Sequence, residues 1–173
     1  AVARLTVLLS LPDALDAPGW TWSSGGSAAW FGETNVLSYG LGAAQSGVIT
    51  HNQQSSLQTT VTGPGTLTFW WKVSSESGAD FVRFYIGAQM VTNISGEVDW
   101  RQETFYLTSG SKLLKWTYAK NGSGSSGQDA AWLDQVTYTP GGTAPIITVQ
   151  PGDQTVLADA TVSWTVPVGG TPP

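Results

Sequence analysis

Apolar and polar residues alternate along much of this chain, with the period of two that is typical of strands buried on one face. In the clearest run, Leu67, Phe69, Trp71 and Val73 share one parity, and the other parity is polar apart from Trp70. Further runs of this kind cover residues 57–62, 81–86, 89–94, 104–107, 113–118 and 132–138. The pattern therefore predicts strands over most of the chain.

Short segments rich in Gly, Pro, Asn and Ser separate the predicted strands and mark turns. They lie at residues 63–65, 77–78, 95–96, 109–110 and 121–122. The one predicted helix, at residues 12–17, is short, and residues 23–47 are predicted to form a long ordered loop with short strands. Many short strands without a long amphipathic helix indicate a sandwich or jelly roll. We assign residues 1–140 to an all-β, antiparallel jelly-roll β-sandwich.

A Pro- and Gly-rich linker at residues 141–145 ends the predicted sandwich. Two short β patterns follow it, at residues 146–149 and 161–166. The roughly 30 residues after the linker are too few to close a core of their own. Residues 145–173 are therefore predicted to be an incomplete β segment.

The composition argues against several classes of protein. Only 11% of the 173 residues are charged, which disfavours long solvated helices and coiled coils. A net charge of −5 with 7 Lys and Arg residues disfavours a phosphate-binding surface, so nucleic acid is not an expected partner. The absence of Cys excludes disulfides, thiolate zinc sites and a cysteine nucleophile. No apolar run approaches the ~20 residues of a membrane-spanning helix.

Nothing in the sequence indicates catalysis. His51 is the one histidine, so a Ser-His-Asp triad would need it together with a positioned Ser and an orienting acid. No G-x-S-x-G motif is present. We interpret His51 as a loop histidine. No local pattern singles out a pair of carboxylates for glycoside hydrolysis. We predict that the protein is not an enzyme.

Four segments resemble a known module. Residues 63–76, 94–100 and 129–136, together with 42–47, are similar to a jelly-roll module of the MAM-like, cleaved-adhesin class, which recurs in bacterial secreted and surface proteins. The resemblance covers roughly residues 10–140. Residues 144–151 and 154–156 resemble the opening of a bacterial immunoglobulin-like repeat. The resemblance implies a non-catalytic, multi-domain protein outside the cell or on the bacterial surface.

The 9 tryptophans are the candidate ligand contacts, because indole rings stack on the apolar C–H faces of sugars. Trp71, Trp116 and Trp132 lie on apolar strand parities and are predicted to fill the core, and Trp100 is predicted to pack rather than to bind. Four others lie in loop-rich sequence or on a polar parity. These glycan-stacking candidates are Trp20, Trp22, Trp30 and Trp70.

A second candidate site consists of acids. Asp134 shares its parity with Trp132 and Val136, so it is predicted to point inward, where a carboxylate needs a cation or several hydrogen-bond donors. The resemblance implies that this acid helps to bind structural Ca²⁺, with Asp129 and Asp80 as further ligands. The alternative is that Asp134 accepts hydrogen bonds from Thr, Ser or backbone N–H groups.

We expect a non-catalytic adhesion or recognition module that contacts a surface glycan or protein. The alternative function is a structural subunit of an extracellular fibre, assembled by strand pairing between subunits. It is based on residues 2–9 and 161–166, which each have an apolar face to bury. The alternative for these two runs is that residues 1–9 pair inside their own sandwich and that residues 145–173 are the start of the next repeat.

Overall fold

Strands make up most of the chain between residues 23 and 140. The computed structural model describes residues 9–142, 146–147 and 149–169. A short helix, α1 (Leu11–Ala14), comes first. The strands that follow are β1 (Ser23–Gly26), β2 (Phe31–Glu33), β3 (Ala43–Gln45), β4 (Gln54–Ser74), β5 (Phe81–Ile86), β6 (Gln89–Ser95), β7 (Glu97–Ala119), β8 (Ala130–Pro140), β9 (Ile146–Ile147) and β10 (Val168–Gly169). The predicted all-β class is confirmed.

The main sheet is antiparallel and has eight strands in the order β2-β3-β8-β4-β7-β5-β6, with β1 added beside β4. Its centre is the pair β4 and β7, of 21 and 23 residues, which are hydrogen-bonded over almost their whole length. The first half of β4 also pairs with β1, and its second half pairs with β8. The second half of β7 also pairs with β5.

The two long strands bend together, which folds this sheet into two layers. The β4–β7 register shifts between Gly63 and Gly65 of β4. The facing segment of β7, between Leu107 and Gly110, bends at the same level. As a result Phe69, in the second half of β4, packs against rings of the other layer: its centroid lies 4.9 Å from that of Phe84 and 5.2 Å from that of Trp116. Turns predicted at residues 63–65 and 109–110 are thus bends inside continuous strands.

The predicted alternation in β4 is confirmed. Leu67, Phe69, Trp71 and Val73 are all completely buried in the core between the layers. Removing a large apolar side chain of this kind from water contributes about 1.5–3 kcal/mol to folding. The other parity of β4 faces outward, and Trp70 on that side is half-buried.

Trp132 is buried as predicted, but on a different face of the sheet from Trp71 and Trp116. Those two lie in the core between the layers, whereas Trp132 pairs with Lys72, and only 1% of Trp132 is exposed. Directly opposed residues of an antiparallel pair share a face. Trp132 therefore lies on the outer face of the sheet, where its indole Nε1 donates to Gln45 Oε1 at 3.2 Å.

The N-terminal segment is tied to β8, and this fixes the course of the chain toward β1. Helix α1 starts at Ser10, whose hydroxyl accepts a hydrogen bond from the Asp13 N–H at 3.3 Å. The Leu15 carbonyl then accepts from the Val136 N–H at 2.9 Å. Residues 16–22 consequently run along the side of the sandwich.

The two terminal runs that the pattern predicts to be strands, at residues 2–9 and 161–166, differ in their outcome. The predicted run at residues 2–9 lies, apart from Leu9, outside the described residues. Residues 161–166 form no strand, contrary to the pattern, and Trp164 there is 54% exposed. The pairing found in this region instead joins Ile146–Ile147 to Val168–Gly169. The immunoglobulin-like character of residues 145–173 and the domain boundaries stay predictions.

The bend should not tolerate a larger side chain at position 65. A Cβ added there would overlap the phenol of Tyr138, which two backbone carbonyls hold in place. We expect Gly65→Ala to lower the free energy of unfolding by about 1–3 kcal/mol, as is typical of overpacking, measured by urea denaturation. Gly19→Ala is the control, because no atom lies within 4 Å of its added Cβ, and it should change stability by no more than about 0.5 kcal/mol. Equal stability of the two variants would contradict a tightly packed bend.

Candidate functional site

A groove of about 520 Å³ opens along one edge of β4. On the side away from β7, β4 pairs with β1 as far as Gln58 and with β8 from Gly65 onward. Within the described part of the chain, residues 59–64 have no strand partner on that side. The groove occupies this gap, and we call it the edge groove. Its volume lies within the range of small-molecule sites.

Trp20 forms one wall of the edge groove, and the core supports it from behind. Its indole stacks on Trp22, with centroids 5.7 Å apart and planes at 19°. Trp22 in turn packs against the buried Trp116, at 5.8 Å between centroids. These rings form a continuous stack from the core to the surface. One face of Trp20 is therefore covered, and the residue lines the groove with the rest of its surface.

The other wall is Tyr138 on β8. Its hydroxyl lies 2.8 Å from the Thr62 carbonyl oxygen and 2.7 Å from the Pro64 carbonyl oxygen, and neither residue pairs with a neighbouring strand on this side. On the opposite side, the Thr59 hydroxyl donates to the Thr21 carbonyl at 2.9 Å. The groove thus combines two aromatic walls with a floor of threonines, and none of its lining residues is charged.

The remaining stacking candidates lie outside the groove. Trp30 is only 3% exposed and belongs to the core, so as placed it cannot stack on a ligand, which corrects that prediction. Trp22 lies between Trp20 and Trp116 and supports the wall rather than forming it. Trp70 is half-buried on the outer face of β4, where it pairs with Asp134. Of the four candidates, the structure brings Trp20 alone to this groove.

Asp80 and Asp129 meet around a buried ammonium group. Lys120 Nζ lies 3.0 Å from Asp80 Oδ2 and 2.5 Å from Asp129 Oδ1. It also lies 3.3 Å from the Ser125 hydroxyl. The second oxygen of Asp80 accepts from the Asn121 N–H at 2.8 Å, so the carboxylate is held from both sides. The side chains of Asp80 and Lys120 are almost completely buried. We call this group the Lys120 cluster.

Hydrogen bonds and neighbouring charges favour the ionised forms of Lys120 and Asp129. Burial alone would lower the pKa of Lys120, but its hydrogen bonds to Asp129 and Asp80 and the charges of both carboxylates outweigh burial and raise that pKa. Burial alone would likewise raise the pKa of Asp129, but the Lys120 ammonium and the Ser125 hydroxyl lower it overall. The neighbouring Tyr118 hydroxyl is buried, and burial followed by the charges of Asp129 and Asp80 raises its pKa.

Asp134 lies in a different place, and backbone donors surround it. It is completely buried, as predicted, but on the outer face of β8 under the β2–β3 loop. Its carboxylate accepts from the N–H groups of Ser38 at 2.7 Å, Tyr39 at 3.1 Å and Gln135 at 2.7 Å. Burial raises its pKa, and these three hydrogen bonds partly offset that effect. The alternative of backbone hydrogen bonds therefore describes Asp134.

The three carboxylates do not fit the calcium shell implied by the resemblance. Ca²⁺ takes six to eight oxygen ligands, whereas the Lys120 ammonium lies between Asp80 and Asp129, and Asp134 is bound elsewhere. Over the described ranges, no three His, Cys, Asp or Glu side chains form a group able to hold a metal ion. Calcium binding itself stays a prediction. Its test is whether a chelator lowers the melting temperature.

Lys120 and Tyr138 were not singled out from the sequence, and of the two only Lys120 carried a signal there. Lys120 continues the inward parity of Leu114, Trp116 and Tyr118, so the alternation places a lysine in the interior. An inward lysine requires carboxylate partners. Tyr138 carried no such signal, because its role depends on the gap between β1 and β8. His51 lies exposed in a turn, as expected.

Comparison with known proteins concerns the fold. No family model matches the chain, and no curated protein matches it. Among solved structures, the K1 cleaved adhesin domain of Lys-gingipain from Porphyromonas gingivalis superposes with a TM-score of 0.54 at 18% identity, covering 80% of this chain and 99% of that one. The K3 cleaved adhesin domain gives 0.50 at 16% identity, over 69% and 91% of the two chains.

These likenesses show a shared β-sandwich fold. The secreted serine protease VesC from Vibrio cholerae also superposes, with a TM-score of 0.53 at 16% identity and over 65% of this chain. This chain spans only 24% of the VesC chain. The resemblance to the cleaved-adhesin class is thus supported at the level of fold.

Removing the ammonium from the Lys120 cluster should destabilise the fold strongly. We expect Lys120→Met to cost about 3–5 kcal/mol, because the buried Asp80 carboxylate loses its partner, as measured by urea denaturation. Lys72→Met is the matched control. It breaks the surface pair with Asp99, which has an 86% exposed carboxylate, and should cost less than about 1 kcal/mol. Adding Asp80→Asn to Lys120→Met should recover part of the loss, and equal effects of the two lysine variants would contradict the buried ion pair.

The same cluster should limit stability at both ends of the pH scale. The pKa of Asp129 is below 3.8 in the folded protein, so its stabilisation is complete above pH 3.8 and is lost as the pH falls further. The pKa of Lys120 is above 10.5, so its stabilisation is complete below pH 10.5 and is lost as the pH rises further. Melting temperatures of the wild type and Lys120→Met should therefore differ most between these limits. A difference that is constant from pH 2 to 12 would contradict this assignment.

Proposed function

We propose that this domain is a non-catalytic recognition module of a bacterial secreted or surface protein, and that it binds neutral glycan in the edge groove. The observation that carries the proposal is the Trp20 indole, which is held by the core and lines an uncharged groove of about 520 Å³. An indole face stacks on the C–H face of a pyranose, and nearby polar groups bind the hydroxyls at its rim.

The gap in the sheet supplies polar groups of the required kind. Tyr138 reaches the carbonyls of Thr62 and Pro64, so this edge of β4 directs backbone groups into the gap. In an antiparallel ladder, residues two positions apart direct their backbone groups to the same side. Thr60 therefore offers its backbone N–H and C=O to a ligand in the groove, as well as its exposed hydroxyl.

Charge favours a neutral glycan over an acidic one. No Asp, Glu, Lys or Arg lines the edge groove, so an acidic sugar would find no counter-ion there. The chain also carries a net charge of −5, which repels polyanions at low salt. Secretion or surface display is part of the proposal. The only related structural observation is that none of the helices in the described ranges is long and apolar enough to cross a membrane.

The fibre alternative gains no support. The comparisons return adhesin domains and a secreted protease, with no fibre subunit among those described above. Residues 161–166, one of the two runs on which it depended, form no strand. We therefore do not propose a fibre subunit.

Trp20 is tested by glycan titration. The probes are hexasaccharides of β-1,4-linked glucose, xylose, mannose and galactose, with polygalacturonate as the acidic comparison. We expect at least one neutral hexasaccharide to bind, and Trp20→Ala to weaken its binding at least about tenfold, which corresponds to ~1.4 kcal/mol. Isothermal titration calorimetry measures the affinity, and a thermal melt confirms that the variant is folded.

Two further variants keep this test independent of stability. Thr60→Ala changes an exposed side chain of the groove floor and should weaken binding without altering the melt. Trp70→Ala removes a tryptophan outside the groove and should leave binding unchanged. The edge groove is the wrong site if Trp70→Ala abolishes binding while Trp20→Ala does not. Binding of polygalacturonate alone, or of no probe, would reject the proposed function.

A further inference from the structure

Two smaller hollows adjoin the edge groove. One, of about 230 Å³, shares Trp20 and Tyr138 with it. The other, of about 400 Å³, shares Leu113 with it and extends past the bend in β7 to Tyr106 and Lys112. Each hollow thus shares lining residues with the edge groove, and we call the three together the tract. We call the hollow at Tyr106 the distal hollow.

Tyr106 presents an aromatic side chain on the outer face of β7. It is 68% exposed, whereas its neighbours in β7 point inward: Leu107 is 2% exposed, and Phe105 packs against the core. Among the residues that the structure describes, its hydroxyl makes no hydrogen bond and its ring contacts no other aromatic ring or cation. Such an exposed ring can stack on a sugar, while its hydroxyl remains free to hydrogen-bond.

Strand pairing fixes the backbone at Tyr106. Residue 106 pairs with Thr66 inside the β4–β7 ladder. The preceding Phe105 is held by Phe69 and Phe84, with centroids at 6.0 Å and 5.1 Å. Only the side-chain rotamer of Tyr106 is then left to be ordered on binding. The distal hollow also contains polar groups for sugar hydroxyls, including the Lys112 ammonium and the Ser111 hydroxyl.

We propose that the edge groove is the centre of an extended cleft for a glycan chain, and that Tyr106 is the stacking platform of a distal subsite. This inference rests on the proposed function of the edge groove. One hollow meets the groove at Trp20 and Tyr138 and the other meets it at Leu113, so a chain that occupies all three runs through the groove. The module then recognises internal stretches of a polysaccharide rather than its terminal sugar. Each occupied subsite adds contacts, so affinity rises with the length of the oligosaccharide.

The experiment compares chain lengths in the wild type and in variants. The probes are the disaccharide and the hexasaccharide of whichever neutral β-1,4-linked series binds best. We expect the hexasaccharide to bind at least about tenfold more tightly than the disaccharide. Tyr106→Ala should remove most of that difference while leaving disaccharide binding unchanged, and Tyr106→Phe should retain it. Trp20→Ala should weaken the binding of both probes.

Tyr39→Ala is the matched control. Tyr39 is 71% exposed, close to the value for Tyr106, but lies on the β2–β3 loop outside the tract. It should leave both affinities unchanged. The distal subsite is overturned if Tyr106→Ala leaves hexasaccharide binding intact while Trp20→Ala still weakens it, or if the two chain lengths bind equally. A protein that binds neither probe would reject the edge groove and the distal subsite together, which distinguishes the two failures.

Discussion

The joint bend of β4 and β7 is the constraint on which the rest of this structure depends. Because both strands bend at the same level, their ladder continues across the bend, and a single sheet supplies both layers of the sandwich. The bend brings Phe69 against Trp116 and so closes the core. It also separates β1 from β8 along the edge of β4, and this separation is the edge groove. Core and candidate site thus have one geometric origin, and Tyr138, which packs on Gly65 at the bend, belongs to both.

The stack of Trp20, Trp22 and Trp116 couples the site to the core. An exposed indole on a flexible loop would lose rotamer freedom on binding, and that loss would oppose affinity. Trp20 has already lost this freedom, because Trp22 covers one of its faces and Trp116 in turn supports Trp22. The segment that carries Trp20 is further fixed by the hydrogen bond from the Val136 N–H to the Leu15 carbonyl. The conformational entropy of the Trp20 side chain is therefore lost when the protein folds rather than when the ligand binds.

Periodicity predicted the strands well and their boundaries poorly, for physical reasons. Gly63, Pro64 and Gly65 satisfy a turn and a strand bend equally, and only the long-range pairing with β7 decides between them. Asp134 and Val136 have the same parity but lie on opposite faces, because the β4–β8 register shifts between them and Gln135 adopts a φ of 49°. The rule that alternate residues of a strand share a face therefore fails across such an irregularity. Trp20 could be proposed from the sequence, whereas the groove around it could not, since its floor and walls come from segments at least 25 residues apart in the chain.

The placement of charge in this fold matches the requirements of a neutral ligand. Lys120, Asp80 and Asp129 neutralise one another in a buried cluster, and Asp134 is satisfied by backbone N–H groups, so none of these ionised groups lines the edge groove. A neutral sugar offers no charge for attraction at long range, and its hydroxyls are well hydrated before binding. Net affinity must then come from apolar contact with a ring and from hydrogen bonds whose protein partners are already in position. Trp20 lies outside the strands and meets this requirement through its contact with Trp22, and the ladder of β4 and β7 fixes the backbone at Tyr106.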